Sequence, residues 1–232
     1  MSRLTIAQVA QRRRQRVLNA RGWRALVGRV LFLALVGYLL LTQVFLIRQN
    51  SGQGMFPALK DGDLCIAFRT AARELTGERY ARDDVVIFTV RDATGAAPLP
   101  ANAPALMRVK RFAVGAWEDL KADCLSLYRR VRGEPWPTRD RLYTGRVIAT
   151  AGDVVSMSDS GTLLVNGTVQ GGEIMYPTYV RGDLEYPYRV PEGCAYILGD
   201  YRTNTEDSRD FGPIFLENIE GKIITILRRR SL

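Results

Sequence analysis

The stretch Ser51-Gly52-Gln53-Gly54-Met55-Phe56-Pro57-Ala58-Leu59, followed by Lys60-Asp61-Gly62-Asp63 and Leu64-Cys65-Ile66-Ala67-Phe68, decides how this chain is read. Gly52 and Gly54 permit a tight turn, and Pro57 fixes the backbone beyond it. Lys60–Asp63 is a second turn signal, and Leu64–Phe68 is an apolar run of strand length. The stretch comes almost at once after an uncharged apolar segment, so its work is expected at a membrane surface.

That segment is Val30–Ile47, VLFLALVGYLLLTQVFLI. At about 1.5 Å per residue it spans roughly 27 Å, near the thickness of a bilayer core. Arg29 and Arg48 can snorkel from its ends. Residues 1–29 carry Arg3, Arg12, Arg13, Arg14, Arg16, Arg21, Arg24 and Arg29 and no acid. A basic arm directly before an apolar span is a topology signal that holds the arm in the cytoplasm. The expected layout is a cytoplasmic arm over 1–29, a single transmembrane signal anchor over 30–47, and an extracytoplasmic domain over 48–232 at the plasma membrane. No small-x-small cleavage site follows closely, which favours an anchor over a removed signal peptide. Met1–Gly28 reads equally as a basic helix on anionic lipid and as a solvated tail.

Most of the net charge of +9 sits in that arm, and the rest of the chain is close to neutral. Nucleic acid is therefore not an expected partner. The 232 residues contain no histidine, which removes Ser-His-Asp and Cys-His catalysis and HExxH zinc sites. Cys65, Cys124 and Cys194 form no CxxC pair, so neither a structural zinc nor any other cofactor is expected. The three thiols read as small, mostly buried apolar residues; outside the cell one disulfide could form and leave one thiol over. A hydrolase built from this chain needs a lysine or a carboxylate as its base.

Beyond the span the signals are strands and turns. Leu64–Phe68, Val85–Val90, Leu142–Ala149, Val154–Met157, Thr162–Val165, Ala195–Leu198 and Lys222–Leu227 are short, rich in Val, Ile, Leu and Tyr, and bounded by turn residues. Asn166-Gly167 predicts a type I′ hairpin turn. The fold class is thus mostly β. Residues 91–141 interrupt the pattern as an inserted small α/β subdomain, with a strand expected at Met107–Val114 and a helix at Trp117–Val131, where Leu120, Cys124, Leu127 and Val131 recur at steps of three and four.

Four boxes in this order resemble the type I signal peptidases, the serine-lysine peptidase family S26. Gly52, Met55, Pro57, Leu59, Gly62 and Asp63 match a Gly-x-Ser-Met-x-Pro-Thr-Leu box followed by Gly-Asp. Tyr143-Thr144-Gly145-Arg146-Val147-Ile148-Ala149-Thr150-Ala151-Gly152-Asp153 is similar to Lys-Arg-Val-Ile-Gly-x-Pro-Gly-Asp. Gly199-Asp200-Tyr201-Arg202-Thr203-Asn204-Thr205-Glu206-Asp207-Ser208-Arg209-Asp210-Phe211-Gly212 is similar to Gly-Asp-Asn-Arg-x-x-Ser-x-Asp-Ser-Arg-x-x-Gly. The resemblance implies a signal-peptidase-like extracytoplasmic β domain that holds a preprotein through Gly52, Gln53, Met55, Phe56 and Pro57. It gives Asp63, Thr205, Asp207, Ser208 and Arg209 supporting roles, with Asp207 and Arg209 as an ion pair.

In the family a serine attacks the peptide carbonyl and a lysine, its pKa lowered by burial, is the general base. Here Gly54 holds the place of the serine and Gly145 that of the lysine, so both catalytic positions are degenerate. Loss of one dyad member alone costs orders of magnitude in rate. The resemblance then implies a non-catalytic binding or assembly factor for exported proteins, like homologues of Gram-positive pilus assembly whose partner is a pilin. Removal of two side chains is expected to widen the cleft. A second reading keeps signal-peptide cleavage through a displaced dyad of Ser51 and Lys110. A third is a structural envelope protein with no peptide cleft.

Overall fold

The computed structural model describes residues 6–91, 103–132, 141–170 and 176–228. The chain divides into two compact units, Met1–Thr42 and Gln43–Leu232. The first holds one helix, α1 (Ile6–Val44), whose Gly22–Val44 portion is long and apolar enough to cross a membrane. The helix stops three residues before the expected end of the span. Phe45, Leu46 and Ile47 are apolar enough to continue it, but they belong instead to strand β1 (Phe45–Gln49), which pairs antiparallel with β2 (Leu64–Arg69) from Phe45↔Phe68 to Gln49↔Leu64.

The second unit continues through α2 (Thr70–Thr76), β3 (Val85–Thr89), α3 (Ala105–Val131), β4 (Leu142–Thr150), β5 (Val154–Met157), β6 (Leu163–Val165), β7 (Thr168–Val169), β8 (Tyr188–Arg189), β9 (Cys194–Leu198), α4 (Ser208–Phe211), β10 (Ile214–Phe215) and β11 (Ile219–Leu227). Seven strands form one antiparallel sheet in the order β1-β2-β11-β3-β4-β9-β10, and four form a second in the order β7-β6-β5-β8. The fold is mostly β with one N-terminal apolar helix, as the strand pattern predicts. Asn166 (φ 53°) and Gly167 (φ 77°) both take left-handed backbone between Val165 and Thr168, the geometry a type I′ turn needs.

Three apolar clusters fill the unit. Ile148, Val155, Val165, Tyr196 and Leu198 join the small sheet to the large one. Val86, Phe88, Val147 and Ile197 pack on one face of the large sheet, against Tyr143 and Phe211. Met55, Leu59, Cys65, Ala67 and Ile87 pack together as a third cluster. Met55 and Leu59 are fully buried there, so the turn after Ser51 is nailed to the sheet by its own apolar residues.

The segment 91–141 differs from expectation. Met107–Val114 is not a strand; it forms the first part of the 27-residue helix α3. Gly115, which reads as a break in the sequence, lies inside that helix, and among the described residues the segment has no strand. All three cysteines are free, with Cys65 and Cys194 buried and Cys124 exposed.

Candidate peptide-binding cleft

β4 is shared between two partners. Leu142–Arg146 pair with β3, and Arg146–Thr150 pair with β9, which ends at Leu198. On the side that β9 occupies further along, Leu142–Gly145 therefore have no strand neighbour among the described residues. This open edge borders a cleft of about 890 Å³ whose other wall is the chain from Arg48 to Met55 and whose floor includes Thr203–Glu206 and Arg181.

The turn over Ser51–Leu59 is held by a set of main-chain and side-chain bonds. The Asn50 N–H donates to the Asp63 carbonyl at 2.7 Å, and the Gly62 N–H to the Asn50 carbonyl at 3.0 Å. The Gly52 N–H donates to Asp61 Oδ1 at 2.8 Å, where φ is +93° and glycine is needed. Buried Asp63 accepts from the Lys60 N–H at 3.0 Å. Ser51, Gly52, Gln53, Gly54 and Met55 line the cleft. Met55 is a core anchor at the same time, whereas exposed Phe56 and Pro57 are not among the lining residues. Phe56 instead stands against Tyr201, ring centroids 6.4 Å apart.

The two glycines at the degenerate positions are not beside empty space. A Cβ on Gly54 would lie 2.9 Å from Thr205 Oγ1 and 3.3 Å from Thr205 Cβ. The Gly54 carbonyl accepts the Tyr201 N–H at 3.0 Å. A Cβ on Gly145 would lie 2.5 Å from Ile197 Cγ2, 3.2 Å from the Leu198 carbonyl oxygen and 3.3 Å from the Phe88 ring. The expected widening of the cleft at these two points is thus not found: Thr205 stands against one glycine, and Ile197 with Phe88 stands against the other.

The loop after β9 is built on buried charge. Arg209 makes a bidentate pair with Asp207 at 2.9 and 2.8 Å, both side chains 2 % exposed. Asp207 also caps α4, accepting the Arg209 N–H, and its other oxygen accepts the Gly199 N–H at 3.2 Å. Ser208 Oγ accepts the Ile197 N–H at 2.9 Å. Arg202 donates to the Gly199 carbonyl and to Thr178; burial, and then the neighbouring Arg209, pulls its pKa down to about 10. Arg181 reaches the same loop, donating to the Thr205 carbonyl at 2.9 Å. One pair stands outside the sequence expectation. Arg146 binds Asp200 bidentately at 2.8 and 2.7 Å, joining the third box to the fourth. Its signal was present in the sequence, since both residues sit inside quoted boxes, but nothing there paired them.

Ser51 lies in the cleft, exposed; Lys110 lies on α3 and is not a lining residue. The structure brings Gly54, Gly199 and Thr205 together, but not Ser51 and Lys110. Among the described lining residues there is no lysine, and the single carboxylate, Glu206, is paired with Arg141 at 3.0 Å. What the cleft offers is main chain along β4, amides from Gln49, Asn50, Gln53 and Asn204, hydroxyls from Ser51, Tyr143, Thr144, Thr203 and Thr205, and the guanidinium groups of Arg48, Arg141 and Arg181.

Residues 23–227 match the family model described as signal peptidase, peptidase S26. The chain belongs to the S26 signal peptidase family. Within it, the chain is 37% identical over 86 residues to the probable thylakoidal processing peptidase 2 of Arabidopsis thaliana, covering 36% of this chain and 22% of that one. It is 30% identical over 93 residues to the signal peptidase I of Bacillus caldolyticus, covering 35% of this chain and 50% of that one. A solved signal peptidase I from Enterococcus faecalis V583 aligns with a TM-score of 0.36 and 19% identity, covering 64% of this chain and 98% of that one. The matched segments thus span between about a fifth and a half of these curated S26 peptidases. The apolar helix Gly22–Val44, together with the signal peptidase I homologues, suggests a membrane location for this S26 protein.

Proposed function

We propose that this S26 protein is a single-pass membrane protein that binds an extended segment of an exported polypeptide without cutting it, a pilin being one such partner. Its arginine-rich N-terminus would face the cytoplasm and its β domain the opposite side. The observation that carries this reading is the filled slot at Gly145. A side chain at position 145 would run into Ile197 and Phe88, and no lysine is among the described residues lining the cleft. The open edge of β4 still presents main-chain groups of Leu142, Tyr143 and Thr144 to the cleft. Strand addition on such an edge gives affinity without any catalytic group.

The test uses the full chain in detergent, mixed with a precursor protein carrying its signal peptide. A retained but uncut precursor is expected. Ser51→Trp, which fills the cleft from an exposed position, weakens retention, while Ser51→Ala changes nothing. Cleavage by pure wild type that is lost in Ser51→Ala would overturn the reading and restore a working peptidase. A wild type that neither cuts nor retains the precursor would leave a structural envelope protein.

A further inference from the structure

Helix α3 is mounted with its apolar side outward. At about 100° per residue, Leu106, Val109, Ala113, Trp117, Leu120, Cys124 and Tyr128 fall on one stripe, and Met107, Val114 and Leu125 widen it to an arc of roughly 160°. The opposite, polar face is the one held by the domain. Arg111 pairs with Glu74 of α2 at 3.5 Å, Asp119 pairs with Arg69 of β2 at 3.2 Å, and the Arg108 guanidinium lies against Gly77 at the end of α2. Most of the stripe is exposed: Leu106 is 80 % exposed, and Trp117, Val109, Val114, Tyr128, Met107 and Leu125 are each half exposed or more, while Leu120 is partly buried. An amphipathic helix ordinarily buries its apolar stripe against its own domain; this one spends ion pairs on the inside and offers hydrocarbon to the outside.

We infer that this face lies in the lipid interface, with α3 parallel to a membrane that contains anionic lipid. Three observations select lipid over a protein partner. Residues 105–131 hold six basic side chains against three acidic ones; Arg108 and Arg111 face the domain, but Lys110 and Lys121 lie on the outward side and carry the sign that anionic headgroups attract. Lys110 and Lys121 fall within the arc, on long stems that can bury their methylenes and lift their ammonium groups to the headgroups. Trp117, with Lys121 5.9 Å from its ring, and Tyr128 are the residue types that favour this boundary. The arc is also far wider than the narrow seam by which a second copy would form a coiled coil. Moreover, the domain follows the apolar helix without a linker, β1 beginning at the residue after Val44, so the bilayer is held at high effective concentration. None of the stripe residues lines the cleft, so the surface stands apart from the peptide-binding reading.

The native thiols provide the probe, since Cys124 is exposed on the stripe while Cys65 and Cys194 are buried. The full chain carrying a nitroxide on Cys124 is reconstituted in vesicles of phosphatidylcholine and phosphatidylglycerol. Relaxation of the label by apolar oxygen is expected to exceed relaxation by a water-soluble nickel chelate, and the order is expected to invert in Trp117→Glu/Leu125→Glu. Trp117 and Leu125 are each half exposed or more, so this variant is expected to keep the wild-type fold; circular dichroism checks that. A label open to the chelate in wild-type vesicles would overturn the inference. Dipolar broadening between labels would overturn it too, by showing a second copy on the stripe.

Discussion

A Cβ on Gly145 would stand 2.5 Å from the Cγ2 methyl of Ile197, the β9 residue that pairs with Val147 two positions further along β4. That methyl branches directly from Ile197 Cβ and cannot swing clear as the end of a long side chain can. Returning serine to position 54 and lysine to position 145 is therefore expected to leave the protein without cleavage activity. Shortening Ile197 to alanine in the same chain opens the slot, so precursor cleavage is expected only in the triple variant Gly54→Ser/Gly145→Lys/Ile197→Ala, followed by gel mobility. Gly145→Ala alone overpacks the same slot and should cost about 1–3 kcal/mol, measured by denaturant unfolding in detergent.

The Asp207–Arg209 pair is a stability element whatever the cleft does. Both partners are 2 % exposed, so removing Asp207 strands Arg209 as a buried charge, and removing Arg209 leaves Asp207 only the longer 3.6 Å contact with Arg181. Arg209→Met is expected to lose about 3–5 kcal/mol. Asp207→Ala should lose at least as much, because it also takes the cap from α4 and the acceptor from the Gly199 N–H.

Asp153 gives the domain an acid-sensitive contact. Burial pushes its carboxyl up, but hydrogen bonds from Arg82, the Thr150 N–H, Asn166 and the Thr150 hydroxyl outweigh that and hold it well below the usual carboxylate range. A depressed folded-state value contributes stability above the unfolded value, near 4, and loses it as the pH falls through the folded one. Asp153→Asn should therefore melt below wild type at neutral pH, and the gap should narrow progressively below about pH 4.

The thiols should separate cleanly. Burial, and then the charge of Asp63, pushes Cys65 up to about 11, and burial raises Cys194 as well. Near pH 8 neither presents thiolate, and neither is reachable. A maleimide is expected to label one cysteine per folded chain, Cys124, and all three after unfolding in dodecyl sulfate, as read by mass spectrometry. Two labelled cysteines in the folded chain would contradict the burial described.

Much of this was legible in the sequence. Period and punctuation locate the strands at 64–68, 85–90, 142–149 and 154–157 within a residue or two, because each carries a β-rich run between turn residues. Asn166-Gly167 names its own turn. Phe45–Gln49 could not be separated from the span, since hydropathy does not distinguish lipid-facing helix from a strand whose side chains are also apolar; pairing with Leu64–Arg69 decides it. Met107–Val114 misled because its valines and phenylalanine suit a strand, although Leu106, Val109, Ala113 and Trp117 already carry the helical step. At the site, the glycines at 54 and 145 are visible in the sequence, but what fills the space they leave is not. That depends on Ile197 and Thr205, which the chain brings in from more than fifty residues away.

The buried framework of Arg202, Asp207, Ser208 and Arg209 ties the end of β9 to α4 and never touches the places where a nucleophile or a base would stand. It serves a shape, and a shape can be kept for binding as readily as for cutting. A signature drawn through Gly199–Gly212 therefore records that a chain inherits this architecture; under the reading proposed above, chemistry would be recorded at positions 54 and 145, and a survey of such proteins would sort cutters from holders by reading those together with the residue at 197.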